Sequence, residues 1–169
     1  MKNKKAVIAL EAKMGDMFNR LAELQGQIRD KLTAFADGKT LKGNELVGWL
    51  GEIYGKLLLN GHLVDDSHEH DFETRDGARI SVKTRKGNAS GWRQSGSIPK
   101  IDGDDCPTHL LFVHLNDDYS IDRMWLYDWN ELRESGRFRM HNVRGHRRSY
   151  IFRVNENSDQ SFIIYPSKS

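Results

Sequence analysis

The sequence is poor in the residues that cross-link or interrupt a chain, since its 169 residues include one cysteine and three prolines. The single cysteine, Cys106, excludes a disulfide framework within the chain, and a reducing cytoplasm is therefore the expected compartment. No apolar run approaches the ~20 residues of a membrane-spanning helix. The start, MKNKKAVIALEAKMGD, is basic but has no sustained apolar stretch, so a secretory signal and a membrane partner are not expected.

An excess of charge of one sign is also lacking, because 26 basic and 24 acidic residues leave a formal net charge of +2. Bulk charge therefore does not identify a partner. The charges are nevertheless segregated, with acidic residues at 65–76 and 102–105 and basic residues at 83–100 and 137–153. This segregation is typical of a protein that binds a polyanion and a metal ion, although solvated loops of mixed charge would produce it too.

Residues 4–36 predict a long helix, because they contain no proline and are followed by Asp37-Gly38 as a stop signal. Apolar residues recur at intervals of seven with others between them, which is a narrow seam of coiled-coil type. The seam comprises Met14, Met17, Leu21, Leu24, Ile28, Leu32 and Phe35. Two interpretations remain open: a helix packed on its own domain, or a dimerisation arm at 1–38 followed by a second domain at 39–169.

A second helix is predicted at 43–60, with Asn44 as its N-cap and Asn60-Gly61 as its end. Its sequence, GNELVGWLGEIYGKLLLN, carries an apolar face suited to burial. We expect Glu52 to be partly buried because it lies among apolar residues, and a buried carboxylate requires a partner or a metal ion. The alternative is an ordinary surface glutamate.

The stretch HDFETRDGARISVKTRK predicts two short strands, 70–74 and 80–84, joined by a tight turn. Asp71 begins the first strand and Lys83 lies on the second. A two-residue turn would place these side chains on opposite faces of the hairpin, whereas a three-residue loop or a bulge at Gly77 would pair Asp71 with Lys83. We predict the longer or bulged connection.

The glycine- and serine-rich segment 87–107 is expected to be a loop. The next segment, THLLFVHL at 108–115, is continuously apolar and predicts a central strand. DWNE, at 128–131, has the pattern of a capping box that opens a short helix. Further strands are expected at 121–127, 150–154 and 162–165.

Several residue types on the hairpin suit phosphodiester hydrolysis, which requires an activated water, a metal ion and stabilisation of developing charge. Two carboxylates can hold one Mg²⁺ and leave positions for water and substrate oxygens. A lysine on the same face can orient the water and offset developing charge. Asp71 and Lys83 supply one carboxylate and the lysine, so a second carboxylate must come from elsewhere.

The order of these segments resembles that of the PD-(D/E)xK nuclease superfamily. The resemblance runs from the helix GEIYGKLLL through HDFET, ISVKTRK and THLLFVHL to DYSIDRMWLYDWNEL, roughly residues 43–135. It implies an α/β (α+β) fold with a restriction-endonuclease-like core, a mixed β-sheet flanked by helices. It also implies a homodimeric, restriction-type DNA endonuclease that uses Mg²⁺, or Mn²⁺ in its place.

By position, the resemblance makes Asp71 the first metal ligand and Lys83 the lysine of the motif. The backbone carbonyl of Val82 would be a further ligand. The sequence departs from the family at Ser81, where the motif normally carries an acidic residue and a serine hydroxyl cannot replace its charge.

Two residues could supply the missing carboxylate. Glu73 could reach the metal if it lies opposite Ser81, and Glu52 could do so from the first core helix. We favour Glu52, because the family often uses an acid on that helix.

Nucleic-acid contacts are expected from the basic segments and from one aromatic residue, namely Arg85, Lys86, Trp92, Arg93, Lys100, Arg144, Arg147 and Arg148. The run HEHD at 68–71 contains metal-ligand types, but neighbouring residues of a strand point to opposite faces and a zinc site would need two more ligands. GKTLKGN lacks the order of a phosphate-binding loop, so no nucleotide cofactor is expected. The alternatives to an enzyme are an inactive nucleic-acid-binding module and a protein-interaction subunit.

Overall fold

The structure, a computed structural model, describes residues 3–33, 45–65, 67–89 and 91–166. Its helices are α1 (Lys4–Thr33), α2 (Glu45–Leu59) and α3 (Trp129–Glu134), followed by a 3₁₀ turn at Asp159–Phe162. The strands of the described residues are β1 (Gly61–Leu63), β2 (Phe72–Thr74), β3 (Arg79–Lys86), β4 (Gln94–Ile98), β5 (His109–Leu115), β6 (Ile121–Asp128), β7 (Arg139–Val143), β8 (His146–Arg153) and β9 (Ile163–Tyr165). The protein is therefore of the mixed α/β class, as predicted.

The larger sheet has the strand order β1-β2-β3-β5-β6-β9. Among its described strands, β3 and β5 run parallel and the other neighbours are antiparallel. Residues 110–115 of β5 are all buried, which confirms the central strand predicted from THLLFVHL. A parallel pair needs a long connection between its strands, and residues 87–108 provide it here.

That connection contains β4, so the prediction of a plain loop at 87–107 is wrong. The sequence of β4, QSGSI, has only one residue with a preference for strands, which is why no strand was expected. Burial explains the difference, since Ser95 and Ile98 are buried and β4 pairs with β8. The smaller sheet, β4-β8-β7, also includes β7, which lies in a basic segment that carries no apolar alternation.

Helix α2 packs on one face of the larger sheet through two glycines. A side chain added at Gly51 would collide with Thr84, and one added at Gly55 would collide with Leu111 and Phe72. The helix therefore lies so close to the side chains of the strands that only glycine fits at these two positions without a shift of its neighbours. The helix ends at Leu59 and is followed by Asn60 in the left-handed conformation with φ 54°, which agrees with the end predicted at Asn60-Gly61. Asn44, the predicted N-cap, lies outside the described residues.

The close approach makes a testable pair of glycine substitutions. Gly51→Ala should destabilise the fold by about 1–3 kcal/mol, because the added methyl group overpacks the contact with Thr84. Gly48→Ala, on the same helix with open space around it, should instead stabilise the fold by about 0.5–1 kcal/mol through helix propensity. Urea unfolding of both variants measures the difference, and equal effects would contradict the packing.

Helix α1 packs against the same core as α2. Val7 and Phe18 are buried in the cluster that contains the α2 and sheet residues. The Glu11 carboxylate accepts hydrogen bonds from the Ile121 N–H at 2.8 Å and the Tyr165 hydroxyl at 3.0 Å. These long-range bonds attach the helix to β6 and β9, and the predicted division into an arm at 1–38 and a domain at 39–169 stays a prediction.

The predicted seam is divided between the core and the surface. Met14 and Leu21 pack on the core, whereas Met17 and Leu24 are 54% and 53% exposed. The side chains of Ile28, Leu32 and Phe35 lie outside the described residues. None of the helices in the described residues has the length and apolar character needed to cross a membrane.

Candidate active site

The connection between β2 and β3 decides how the hairpin presents its side chains. It consists of four residues, 75–78, and Gly77 adopts the left-handed conformation with φ 84°. The predicted longer connection is therefore confirmed. The predicted pairing of Asp71 with Lys83 is wrong, because Phe72 pairs with Ile80 and not, as that register requires, with a residue two positions further along β3. A shift of two residues leaves every side chain on the expected face.

The carboxylate of Asp71 is held at the start of β2 by the backbone of β3. Its Oδ2 accepts a hydrogen bond of 2.5 Å from the Val82 N–H, and the Asp71 N–H donates to the Ile80 carbonyl at 2.9 Å. These bonds fix the position of a half-buried carboxylate. The predicted role of the Val82 carbonyl as a metal ligand stays a prediction.

Asp71, Ser81 and Lys83 line one cavity of about 180 Å³. Three of the four predicted catalytic residues are thus brought together on the face of β3 opposite α2. Ser81 is buried and Lys83 is half-buried. The remaining walls come from four other parts of the chain: His68 and Glu69, Ile98 to Lys100, Pro107, and Trp129.

Glu69 brings a second carboxylate to this cavity, which the sequence interpretation missed. Alternation along a strand would place neighbours of Asp71 on different faces, but residues 68–71 form bends and not a strand. Alternation therefore does not apply to them. Glu69 Oε1 lies 3.6 Å from the Lys100 ammonium, which also contacts Asp105 at 2.5 Å. The hydrogen bond with Asp105 raises the pKa of Lys100, and so keeps a positive charge at the cavity rim.

Neither of the two glutamates expected to complete the site lines this cavity. Glu52 belongs to α2. This helix packs on the opposite face of the sheet, where its Gly51 lies against Thr84. Glu73 Oε1 lies 3.0 Å from Nε2 of His70, and its other oxygen lies 3.8 Å from His62. The register of the hairpin pairs Glu73 with Arg79, so Glu73 is not opposite Ser81 as its proposed role required.

Trp92, predicted to contact nucleic acid, has a ring that is 8% exposed and stacks on His114 with the ring centroids 3.8 Å apart, so little of it is open to a partner. Arg85 Nε donates to the Gln94 carbonyl at 2.8 Å, and burial lowers the pKa of its guanidinium. Lys86 donates to the Asp117 carbonyl at 3.0 Å. These side chains connect segments of the fold.

The remaining predicted basic contacts lie in three different settings. Arg93 forms an ion pair with Glu156, and Lys100 lines the cavity described above. Arg144 is exposed between β7 and β8. The side chains of Arg147 and Arg148 lie outside the described residues.

The donor set of the cavity fits Mg²⁺ better than zinc. Mg²⁺ is commonly bound by one or two carboxylates together with waters and substrate phosphates, and Asp71 and Glu69 are such carboxylates. Among the described residues, no group of three or more histidine, cysteine, aspartate or glutamate side chains is placed to hold a metal ion. His70, a component of the zinc alternative, is buried and bonded to Glu73.

A larger cavity of about 1160 Å³ lies between the start of α1 and the sheet. Its lining includes Lys4, Lys5, Arg75 and one carboxylate, Asp76. That carboxylate accepts a hydrogen bond of 2.5 Å from the Thr74 hydroxyl within the β2–β3 connection. This cavity therefore has lysines but lacks the pair of carboxylates found at Asp71 and Glu69.

The fold and the cavity define a mixed α/β protein with a polar site between the β2–β3 hairpin and the crossover connection. No protein-family model matches the chain, and no curated protein is significantly similar to it.

Proposed function

We propose that this protein is a Mg²⁺-dependent nuclease that hydrolyses DNA phosphodiester bonds at the cavity of Asp71, Glu69 and Lys83. The observation that supports the proposal most directly is that two carboxylates and a lysine line one small cavity. The order of elements also supports it, since a helix, a hairpin and a buried strand parallel to β3 follow one another. That is the order on which the resemblance to the PD-(D/E)xK superfamily rests.

Each residue has a separate task in this proposal. Asp71, oriented by the Val82 N–H, would hold Mg²⁺ together with Glu69. When bound, the ion would supply polarisation of the phosphoryl group and a more acidic water. Lys83 orients the attacking water and offsets the charge that develops on the phosphate. Lys100 adds positive charge at the rim, where an anionic substrate would enter.

In this proposal Glu69 supplies the negative charge that Ser81 lacks. A buried serine in the motif position offers a neutral hydroxyl, which is a poor ligand for a hard divalent cation. Glu69 lines the same cavity from the segment before β2, so it can replace the missing carboxylate without any change in the hairpin. We therefore propose Glu69, and not Glu52, as the second acidic residue.

Cleavage of plasmid DNA tests both parts of the proposal. In Mg²⁺ the wild-type protein should nick the DNA, and Glu69→Gln should lower the rate by at least about 100-fold, the scale of a lost catalytic group. Glu52→Gln should change the rate less than about threefold, because Glu52 lies outside the cavity. A wild-type protein inactive in both Mg²⁺ and Mn²⁺ would exclude the function. A larger loss of cleavage in Glu52→Gln than in Glu69→Gln would identify Glu52, on α2, as the second acidic residue.

Ser81 favours a second candidate, a nuclease fold that binds nucleic acid without cleaving it. Loss of the acidic residue of the motif is a direct route to such a protein. This candidate predicts salt-sensitive DNA binding in the absence of any Mg²⁺-dependent cleavage. The plasmid assay combined with a binding titration separates it from the enzyme.

A homodimer is the assembly that we propose for the enzyme, because two active sites would allow cleavage of both strands. The exposed Met17 and Leu24 of α1 are available for an interface. Sedimentation equilibrium measures the mass directly, and a monomer at assay concentrations would contradict this part of the proposal.

A further inference from the structure

The hairpin of β7 and β8 extends beyond the rest of its sheet. Strand β4 pairs with β8 only between Tyr150 and Arg153, so within the described residues the part from 141 to 149 is a two-stranded ribbon. Met140 is 63% exposed, and its neighbour His141 is exposed as well. His141 and Asn142 are exposed neighbours that point to opposite faces of β7, so both faces of the ribbon are open to solvent there, whereas Ser149 at its base is buried. Such a ribbon has room to enter a groove.

The tip of the ribbon has an unusual residue. Val143 pairs with His146, and the two residues between them, Arg144 and Gly145, have φ values of 51° and 78°. This is a two-residue turn of the type that normally takes asparagine, aspartate or glycine at its first position. An arginine in the left-handed conformation is strained, because its Cβ crowds the backbone. Strain of this kind is concentrated at functional sites.

Unpaired positive charge continues from the tip to the base of the ribbon. Arg139 and Arg153 line a groove of about 720 Å³ on the outer face of the smaller sheet. Arg139 pairs with Ile151, and Arg153 is two residues further along β8, so the two arginines lie on one face. Both are exposed, and neither has an acidic partner among the residues that the structure describes.

The other arginines of the groove are already neutralised. Arg93 is paired with Glu156, and Arg137 with the buried Asp159. Arg139 and Arg153 therefore provide its available charge. The groove lining contains no aromatic ring, which excludes the base stacking by which single strands are usually bound. Its amides, hydroxyls and guanidinium groups suit the sugar-phosphate backbone of a duplex.

We propose that the β7–β8 ribbon is a second DNA contact, with Arg144 entering the major groove while Arg139 and Arg153 bind phosphates. The major groove of B-DNA is wide enough for a two-stranded β-ribbon. The choice of DNA as the partner rests on the proposed function. Strand β4 links the two sites, since Ile98 lines the catalytic cavity and Gln94 lines the groove, about 13 Å apart along the strand. A duplex in the groove is thus within reach of the cavity.

Arg144→Gly separates a role in binding from a role in the fold. Glycine tolerates the left-handed conformation, so the variant should unfold at a slightly higher temperature. Its affinity for a labelled 20-base-pair duplex, measured by fluorescence anisotropy without divalent metal, should fall about five- to tenfold. The slope of log affinity against log salt should stay close to the wild-type value, because the proposal places Arg144 at the bases and not at a phosphate.

Arg75→Gly is the matched control, because Arg75 is an exposed arginine in the β2–β3 connection. The control loses the same charge and should keep the wild-type affinity within about twofold. The double variant Arg139→Ala/Arg153→Ala should lower the salt slope by about 2. Equal affinities of Arg144→Gly and Arg75→Gly would overturn the proposal, and so would tighter binding of single-stranded DNA than of the duplex.

The two proposals fail in different ways. Loss of affinity in Arg144→Gly without any cleavage by the wild-type protein would support the ribbon as a DNA contact and contradict the proposed nuclease activity. Cleavage by the wild-type protein with unchanged affinity in Arg144→Gly would support the nuclease activity and contradict the ribbon as a DNA contact.

Discussion

Lys83→Ala is expected to lower Mg²⁺-dependent DNA cleavage by at least about 1000-fold, within the range for a lost catalytic proton-transfer and charge-stabilising group. Lys83 lines the cavity with Asp71 and Glu69 and would act on the attacking water and the phosphate. Because it is one cation among several, the affinity for duplex DNA should change by no more than about threefold. Plasmid nicking and fluorescence anisotropy on the same preparation give the two values.

Two further variants show whether the loss at Lys83 is specific. Lys86→Ala removes a lysine of the same strand that donates to the Asp117 carbonyl away from the cavity, and it should retain cleavage. Asp71→Ala should lose cleavage together with the heat of Mg²⁺ binding in calorimetry, whereas Lys83→Ala should keep that heat. Cleavage by Lys83→Ala at the wild-type rate would contradict a catalytic role for Lys83.

Asp159→Ala is expected to destabilise the fold by about 3–5 kcal/mol, the cost of breaking a buried ion pair. Asp159 is 2% exposed and accepts hydrogen bonds from Arg137 at 2.7 Å, Tyr127 at 2.8 Å and the Asn155 N–H at 2.9 Å. The variant leaves these donors without their common acceptor. Urea unfolding measures the loss, and Asp102→Ala, which removes an exposed partner of Arg133, is the control with little expected change.

The stability contributed by Asp159 should depend on pH in a defined direction. Burial opposes ionisation of this carboxyl group, but the hydrogen bonds from Arg137, Asn155 and Tyr127 outweigh it and hold the pKa below its usual value. A lowered pKa in the folded state means that the contribution is fully present above the unfolded value of about 3.9. It is lost as the pH falls through the lower folded pKa.

Urea unfolding at successive pH values below about 4 should therefore show the wild-type protein converging on Asp159→Ala. Convergence as the pH rises from neutral would contradict the ionised state assigned to this carboxyl group.

Much of the fold follows from local patterns along the chain. The helices at α1 and α2, the buried strand β5 and the Asp128 cap of α3 were all predicted, and the cap is seen as a 2.9 Å bond from the Glu131 N–H to Asp128 Oδ1. These features depend on periodicity, apolar runs and capping residues that lie within a few positions of one another. Strands β4 and β7 were missed because pairing with β8, and not their own sequence, stabilises them.

The candidate site divides along the same line. Asp71 and Lys83 could be assigned to one face, because side chains alternate along a strand and the turn limits the register. The second carboxylate could not be assigned, since Glu69 reaches the cavity from a bend and its other walls come from β4, the segment before β5 and α3. The position of Glu52 could not be predicted either, because the face of the sheet that α2 covers depends on how Gly51 and Gly55 pack against it.

Local sequence was thus sufficient for the hairpin, its lysine and its first carboxylate, because neighbouring residues set strand alternation and turn length. Only the tertiary structure placed Glu69 in the cavity and Glu52 and Glu73 outside it, buried Trp92 on His114 and left the tip of the β7–β8 ribbon exposed. Each of these outcomes depends on contacts between residues far apart in the chain. Such contacts are determined by packing, which no short segment of sequence encodes on its own.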